Sequence, residues 1–184
     1  MKNTIKFAKN EDMKSTRNML IHGVYLTLYS FVKYLSFPFS NLLRYYVLNL
    51  FSKTIKTKYL SDGVSIMFPW RVTIASSASI NRGSSIDGFG NVRIGKGVRI
   101  ANNVSIYTAD HAFENRDELI MNQGYRYASV VIEEDVWIGG HTCVNKGVTI
   151  GKGSVIGSGA VVTKDIPPFS IAVGVPCRVI GKRK

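Results

Sequence analysis

The stretch VVIEEDVWIGGHTCVNKGVTIGKGSVIGSGAVV, residues 130–162, repeats every six residues. Six consecutive positions at this spacing are aliphatic, and a smaller or β-branched residue stands two positions before each of them. A period of six matches neither an α-helix nor an alternating strand. It is typical of short strands joined by tight turns, where three units close one triangular coil and the coils stack as a parallel β-helix. A sandwich with coincidental spacing does not explain this run. The aliphatic series is Ile132, Ile138, Val144, Ile150, Ile156 and Val162, and the series before it is Val130, Val136, Thr142, Val148, Ser154 and Ala160.

The same series exists upstream, with one long interruption. It runs through Ile74, Ile80 and Ile86, resumes after two extra residues at Ile94, Ile100 and Ile106, and stops until Ile132. We therefore predict an N-terminal helical segment at 1–59, a β-helix at 60–166 with an excursion loop at 107–130, and a basic C-terminal tail at 167–184. The prolines Pro167, Pro168 and Pro176 are expected to end the β-helix, because proline interrupts strand hydrogen bonding.

Composition limits the classes of partner. The chain has 184 residues with 24 Lys and Arg against 12 Asp and Glu, a formal net charge of +12. This surplus predicts an anionic partner, but no nucleic-acid recognition motif accompanies it, so a nucleic-acid partner is not expected. Cys143 and Cys177 are far apart, which argues against a disulfide framework or zinc site and predicts reduced thiols in the cytoplasm. The polar residues 1–18 predict no signal peptide.

The segment VWIGGHTCVNKGVTIGKGSVIGSGAVVTKDIPPFSIAVGVPCRVIGKRK, residues 136–184, resembles the hexapeptide-repeat acyltransferases. Within that family it is similar to the maltose, galactoside and polysaccharide O-acetyltransferase branch, and the resemblance covers about two-thirds of the chain. The resemblance implies a left-handed β-helix, a homotrimer with active sites between subunits, and direct acetyl transfer from acetyl-CoA. It implies no metal site.

The interruption contains the predicted catalytic residue. In this family a histidine at the start of the loop is the general base, and the matching segment IYTADH assigns the role to His111. Acetyl transfer to a hydroxyl needs a base of near-neutral pKa, which independently favours histidine. Asp110 or Glu114 either orients His111 or is a solvated loop charge. Of the other histidines, His22 is expected to pack in an apolar segment and His141 to lie at a surface or subunit contact.

Other site residues follow from the same resemblance. Asn81 and Asp87 match acceptor-binding positions, although Asn and Asp also favour turns. A family arginine falls at Gly181 here, and Lys182 or Arg183 is a candidate substitute. Solvated basic tail residues remain the alternative for these cations, and Trp137 is either near the pantetheine arm or at a subunit contact. The predicted coenzyme A contacts are Trp137, Gly140, Ser158, Thr163, Lys164, Arg178, Lys182 and Arg183.

The first sixty residues have a different character. They are rich in aromatic and aliphatic residues with interspersed Lys and Arg, and Pro38 separates two predicted helices. Apolar residues recur at helical spacing, but charges interrupt every run long enough to span a bilayer. Two interpretations stay open: the helices cap the first coil, or residues 1–58 lie on an anionic membrane face. The apolar positions are Leu20, Val24, Leu28, Phe31, Leu35, Leu42, Tyr46 and Leu50.

The sequence therefore predicts an acetyl-CoA-dependent O-acetyltransferase acting on a sugar hydroxyl in bacterial surface polysaccharide synthesis. It is expected in the cytoplasm, with peripheral contact to the inner membrane face as the alternative. The acceptor is free, nucleotide-linked, lipid-linked or polymeric. Competing hypotheses are an amino-sugar N-acetyltransferase and, more remotely, a non-transferase β-helix protein. The zinc-dependent carbonic anhydrase branch needs three histidines, and this β-helix has only His111 and His141.

Overall fold

A computed structural model describes residues 4–8 and 16–184. Residues 1–3 and 9–15, and the side chains of residues 16–18, lie outside the described part of the chain. The structure therefore does not describe much of residues 1–18, for which no signal peptide is predicted. It also leaves out part of the predicted helical segment 1–59.

Three parallel sheets form the faces of a triangular prism, and the chain passes from sheet 1 to sheet 2 to sheet 3 in every coil. Sheet 1 contains Tyr59–Leu60, Ser79–Ile80, Arg99–Ile100, Trp137–Ile138, Val155–Ile156, Ser170–Val173 and the antiparallel Arg178–Lys182. Sheet 2 contains Ser65–Met67, Ser85–Asp87, Ser105–Ile106, Cys143–Val144 and Val161–Val162. Sheet 3 contains Val72–Ile74, Val92–Ile94, Val130–Ile132 and Thr149–Ile150. The predicted parallel β-helix is confirmed.

The six-residue aliphatic series forms the core of the prism. All twelve of its members, from Ile74 to Val162, are at most 1% exposed. They stack in register: Ile74 pairs with Ile94, Ile94 with Ile132, and Ile132 with Ile150. The smaller residues two positions earlier are also buried. Because each buried aliphatic side chain contributes about 1.5–3 kcal/mol, these stacked columns supply most of the hydrophobic stabilisation.

One corner of the prism differs from the others. The corner between sheets 2 and 3, called corner 2–3, has two extra residues after Ile66 and again after Ile86. After Ile106 the same corner carries the whole excursion, and after Val144 it has no extra residues. Phe68 and Phe89 occupy the two enlarged corners, with their rings 5.7 Å apart. The excursion therefore leaves the prism next to two enlarged corners that contain aromatic side chains.

Two helices cover the lower end of the prism. Helix α1 is Thr16–Lys33 and helix α2 is Ser40–Phe51. The hydroxyls of Tyr25 and Tyr29 donate hydrogen bonds to the carbonyls of Ile66 and Val64, at 2.6 and 3.1 Å. Burial raises the pKa of both tyrosines, so they remain neutral donors. The buried Arg44 joins the two helices to the first coil, donating to the carbonyls of Leu35 and Leu60.

The apolar spacing seen in the sequence does not mark the buried face of these helices. Leu20, Phe31 and Leu50 are 70%, 73% and 70% exposed. Tyr25 and Tyr29 take the buried positions because their hydroxyls satisfy strand carbonyls that end the β-helix. The helices thus cap the first coil and leave an apolar outer face. Neither described helix has the length and apolar character needed to cross a bilayer.

The β-helix continues beyond residue 166. Strand Ser170–Val173 pairs in parallel with Val155–Ile156, and Arg178–Lys182 returns antiparallel along it. The predicted tail 167–184 is therefore a hairpin that covers the last edge of sheet 1 rather than a free basic segment. A covered edge removes unpaired strand hydrogen-bonding groups that would otherwise promote association.

Candidate active site

The excursion contains its own small antiparallel sheet. Strand Ala109–His111 pairs with Tyr125–Tyr127, and the N-terminal strand Lys6–Ala8 pairs with the other side of Tyr125–Tyr127. A backbone hydrogen bond from Ala112 to Gly124 extends the first pair. A short 3₁₀ turn, Ile120–Asn122, lies at the tip. The sheet holds His111 on a regular strand, so its side-chain direction is fixed by strand geometry.

His111 is exposed and stacks against Tyr125, with a ring-centroid distance of 4.7 Å. Among the residues that the structure describes, none hydrogen-bonds to its imidazole. Both ring nitrogens are therefore open to a ligand, and a neutral imidazole can accept a proton from a hydroxyl placed beside it.

Asp110 points away from His111 and forms an ion-pair network. Its carboxylate lies 3.1 and 3.2 Å from two nitrogens of Arg126 and 2.5 Å from Nζ of Lys146. Arg126 also binds Glu114 at 2.6 Å. Burial alone would raise the pKa of Asp110, but hydrogen bonds from Lys146 and Arg126 outweigh it and hold that pKa below its ordinary value.

This network corrects one hypothesis from the sequence. Asp110 faces the opposite side of the strand from His111, and both Asp110 and Glu114 bind Arg126 rather than the imidazole. Lys146 lies at corner 2–3 in the next coil, so the network fastens the strand that carries His111 to the prism. Arg126, Lys146 and Tyr125 are not among the residues predicted from the sequence. The acidic residues of the same loop indicate that a cation such as Arg126 could pair with them. Which carboxylates Arg126 meets, however, depends on strand register.

Asp87 lies at the root of the excursion. Its carboxylate accepts hydrogen bonds from the backbone N–H groups of Phe89 and Thr108, at 3.0 and 3.3 Å. The Thr108 hydroxyl lies 3.1 Å from the same carboxylate and accepts from the N–H of Gly90 at 2.7 Å. This part of the structure gives Asp87 a clear role in joining two coils where the loop leaves the prism.

Several predicted residues share the corner between sheets 1 and 2, called corner 1–2. Asn81, Gly140 and Ser158 each follow a sheet 1 strand, and Arg178 begins the hairpin strand beside the same corner. The coils approach closely here, since a Cβ on Gly139 would lie 2.5 Å from the backbone nitrogen of Ser158. Trp137 lies on the outer face of sheet 1 and is 54% exposed.

Thr163 and Lys164 occupy corner 2–3 instead. They follow strand Val161–Val162, which lies two coils above the root of the excursion. Both side chains are exposed. Within one chain, the two corners are separated by one side of the prism, at most about 20 Å for six extended residues.

Lys182 and Arg183 lie at the third corner and are already engaged. Lys182 donates to the carbonyl of Pro168 at 3.1 Å, and Arg183 pairs with Asp135 at 2.8 Å. The structure therefore does not bring these two cations together with the other predicted coenzyme A residues. The described residues also contain no cluster of three His, Cys, Asp or Glu side chains suited to one metal ion.

Apart from Lys182, Arg183 and Trp137, the predicted residues divide between the two edges of sheet 2. His111, Thr163 and Lys164 belong to corner 2–3, whereas Asn81, Gly140, Ser158 and Arg178 belong to corner 1–2. Between them, the outward positions of sheet 2 are small or modest in size and line up in register: Ser65, Ser85, Ser105, Cys143 and Val161.

Comparison with known proteins identifies the family. The family model for bacterial transferase hexapeptide (six repeats) matches residues 129–164. Galactoside O-acetyltransferase of Escherichia coli K12 is 49% identical over 89 residues, which are 48% of this chain and 43% of that protein. The chain therefore matches less than half the length of this relative.

Solved structures extend the likeness over most of the chain. Maltose O-acetyltransferase from Clostridium difficile 630 is 30% identical with a TM-score of 0.76, covering 91% of this chain and 89% of that one. A hexapeptide-repeat acetyltransferase from Vibrio cholerae, solved with acetyl coenzyme A, is 26% identical with a TM-score of 0.80, covering 93% and 91%.

The network around Asp110 predicts a pH-dependent loop. The pKa of Asp110 is depressed in the folded chain, so the stabilisation is present above the ordinary carboxyl pKa of about 4 and is lost as pH falls through the lowered value. At neutral pH, Asp110→Asn should loosen the strand that carries His111. We expect faster hydrogen exchange at the amides of 109–112 and 125–127.

Asp117→Asn is the matched control, because Asp117 has an 83% exposed side chain and only a 3.7 Å contact with Arg116. It should leave exchange in the excursion unchanged. Wild-type exchange in Asp110→Asn, or an equal effect of both variants, would show that the network does not hold the loop.

Proposed function

Because the chain belongs to the hexapeptide-repeat acetyltransferases, we propose that it transfers an acetyl group from acetyl-CoA to a saccharide hydroxyl. The observation that carries this proposal is the exposed His111, held on a regular strand in the single long excursion of the described β-helix. The O-acetyltransferase names of the galactoside and maltose relatives support a sugar acceptor.

In the proposed reaction, His111 acts as general base. Its neutral imidazole takes the proton of the acceptor hydroxyl as the hydroxyl oxygen attacks the thioester carbonyl carbon. When the carbon–sulfur bond breaks, the imidazolium returns that proton to the departing thiolate. Atoms and charge balance without an acyl-enzyme. Tyr125 keeps the imidazole ring in place, and the Asp110–Arg126–Lys146 network keeps its strand on the prism.

Coenzyme A binding is proposed at the two edges of sheet 2. Lys164 and Arg178 are exposed cations suited to its phosphates, and the backbone at Gly140 and Ser158 lies where neighbouring coils approach closely. Thr163 and Trp137 complete the set. Lys182 and Arg183 are weaker candidates, since they bind Pro168 and Asp135 at another corner.

These residues form one site only if two copies of the chain meet. We propose a homotrimer in which sheet 2 of every chain faces the three-fold axis. Corner 2–3 of one chain then lies beside corner 1–2 of its neighbour, which unites His111 with Asn81, Gly140, Ser158 and Arg178. The aligned small residues on the outer face of sheet 2 support close approach at the axis. Asn81 and Asp87 are the proposed acceptor contacts, and Asp87 also supports the loop root.

The proposed setting is surface polysaccharide synthesis at the cytoplasmic membrane face, where acetyl-CoA is available. Residues 16–58 contain no Asp or Glu. The outer face of α1 and α2 is apolar and exposed, and Lys53, Lys56 and Lys58 follow it. An apolar helix face beside cations suits an interface with anionic lipid. This location would bring a lipid-linked acceptor within reach.

The role of His111 predicts the outcome of its removal. His111→Ala should lower the rate of thiol release from acetyl-CoA by roughly two to four decades, because general-base catalysis contributes about that much. The acceptor panel should include neutral sugars, amino sugars and lipid-linked oligosaccharides. Arg116→Ala, with a 94% exposed side chain at the loop tip, should keep the wild-type rate.

Coenzyme A binding by His111→Ala, measured by equilibrium dialysis, should stay at the wild-type level. Undiminished turnover in His111→Ala would remove the proposed base. If only amino sugars are turned over, the acceptor group is an amine and the proposed hydroxyl acceptor is wrong.

The trimer predicts a cross-link at Cys143. Sheet 2 facing the axis brings three Cys143 thiols together, whereas Cys177 is buried. A short bis-maleimide should join two chains through Cys143, and Cys143→Ser should abolish the product. Light scattering should give three times the 20.4 kDa chain mass. A fully active monomer, or a trimer that never cross-links at Cys143, would contradict this arrangement.

Membrane contact predicts binding to vesicles of phosphatidylglycerol. Replacing the exposed Leu20 and Phe31 by Gln should weaken binding roughly tenfold or more, because each large apolar side chain contributes about 1.5–3 kcal/mol when buried. Ile180→Gln, at a 66% exposed position on the hairpin, is the control and should bind as wild type. Equal binding by the helix variant would exclude the apolar face as the contact.

A further inference from the structure

A groove of about 340 Å³ lies on the outer face of sheet 3, directly beside corner 2–3. Its principal side chains are Trp70, Arg71, Thr73, Asn91, Arg93 and Ser129. This volume falls at the lower end of the range of small-molecule pockets. None of the residues assigned to acetyl transfer lines it, so the groove is separate from the proposed catalytic cleft.

The groove is cationic. Arg71 and Arg93 both line it, and none of its described lining residues is acidic. Arg93 also borders Glu133 and Glu134, but these carboxylates accept from the backbone and side chain of Lys152, at 2.7 and 3.5 Å. Arg93 makes no ion pair with any described residue. Two arginines that have no carboxylate partner within residues 4–8 and 16–184 favour an anionic ligand in this groove.

Packing holds Trp70 and Arg71 in place. The rings of His22 and Phe68 lie perpendicular to the Trp70 ring, at centroid distances of 5.9 Å. Arg71 donates to the carbonyl of Phe89 at 2.6 Å, and its guanidinium lies 5.3 Å from the Phe89 ring. The remaining Arg71 donors are thus presented from a fixed position. A preorganised arginine loses less entropy when it binds a planar or tetrahedral oxyanion.

We propose that this groove binds the phosphate-bearing part of a saccharide acceptor. Arg71 and Arg93 bind the phosphate through charge-assisted hydrogen bonds, and the half-buried Trp70 packs against the apolar face of a sugar ring. Thr73 and Asn91 supply short polar groups for sugar hydroxyls. The ligand class is a sugar phosphate or diphosphate, whether its far end is a nucleotide or a lipid. This assignment rests on the proposed saccharide acceptor.

The position of the groove suits a long acceptor. Ser129 lies at the groove edge, and Tyr125, which stacks on His111, is four residues earlier in the chain. Four extended residues span at most about 14 Å. An acceptor of more than one sugar unit can therefore occupy the groove while another unit reaches the catalytic strand. Corner 2–3 separates the groove from sheet 2, so the proposed trimer leaves it accessible.

The test measures binding without acetyl-CoA. The chain has two tryptophans, so Trp137→Phe leaves Trp70 as the only indole reporter. N-acetylglucosamine 1-phosphate should change its fluorescence in a saturable, salt-sensitive manner. N-acetylglucosamine and inorganic phosphate alone should bind much more weakly. Arg93→Gln should weaken sugar phosphate binding roughly tenfold or more, the usual effect of a lost charge-assisted hydrogen bond.

Lys96→Gln is the matched control, since it removes one exposed charge outside the groove and should bind as the parent does. Two further probes distinguish the source of the phosphate: UDP-N-acetylglucosamine and a detergent-dispersed prenyl diphosphate N-acetylglucosamine. Tighter binding of either one supports the groove and identifies the carrier.

Equal binding of inorganic phosphate and sugar phosphate would overturn the saccharide assignment. Equal weakening by Arg93→Gln and Lys96→Gln would overturn the groove as the site. Thiol release is measured on the chain with Trp137 intact, because Trp137 belongs to the proposed coenzyme A contacts. Retained acetyl transfer without groove binding would refute this inference alone, whereas groove binding without any acetyl transfer would refute the proposed function.

Discussion

The inward stacking of aliphatic residues along the prism is the constraint on which the structure depends. Each coil must return its aliphatic residues to the same three columns, because a side chain displaced by one position would face solvent. Ile74, Ile94, Ile132 and Ile150 form one such column despite unequal chain lengths between them. Extra residues are accommodated only at corners. The requirement that protects the core therefore also decides where functional segments can be inserted.

Corner 2–3 collects these insertions. Two enlarged corners with Phe68 and Phe89 precede the excursion, and Phe89 contacts Tyr127 in the excursion at a ring distance of 5.1 Å. The Asp110–Arg126–Lys146 network attaches the other side of the loop to the next coil. A loop of this length would normally be mobile, since exposed loops have few buried contacts. Aromatic packing below and ion pairs above give the strand of His111 a defined position.

The sequence was sufficient for the coil and for the position of the excursion, because the excursion is where the strict six-residue period stops. It was insufficient for the contacts around His111: Asp110 meets Arg126 and Lys146 across 16 and 36 residues, and only strand register decides those meetings. The buried faces of the helices could not be predicted from apolar spacing, for another reason. Apolar spacing favoured Leu20 and Phe31, but the polar hydroxyls of Tyr25 and Tyr29 were needed to satisfy carbonyls at the end of the prism. The positions of the coenzyme A residues at different corners could not be predicted until each insertion was assigned to its corner.

The positive charge of the chain acquires a physical explanation from this arrangement. Arg82, Arg126, Lys146 and Arg183 form ion pairs with nearby carboxylates, and they account for part of the 24 basic residues. Several cations outside these pairs fall on three separate surfaces. Lys164 and Arg178 flank sheet 2, Arg71 and Arg93 line the groove on sheet 3, and the lysines after α2 border its apolar face. The phosphates of coenzyme A, of a saccharide acceptor and of lipid headgroups share one chemistry. Under the proposals above, a single compositional bias would therefore serve three contacts. Because these surfaces lie at different corners and at the end of the prism, the proposed trimer would bind donor, acceptor and membrane without competition between them.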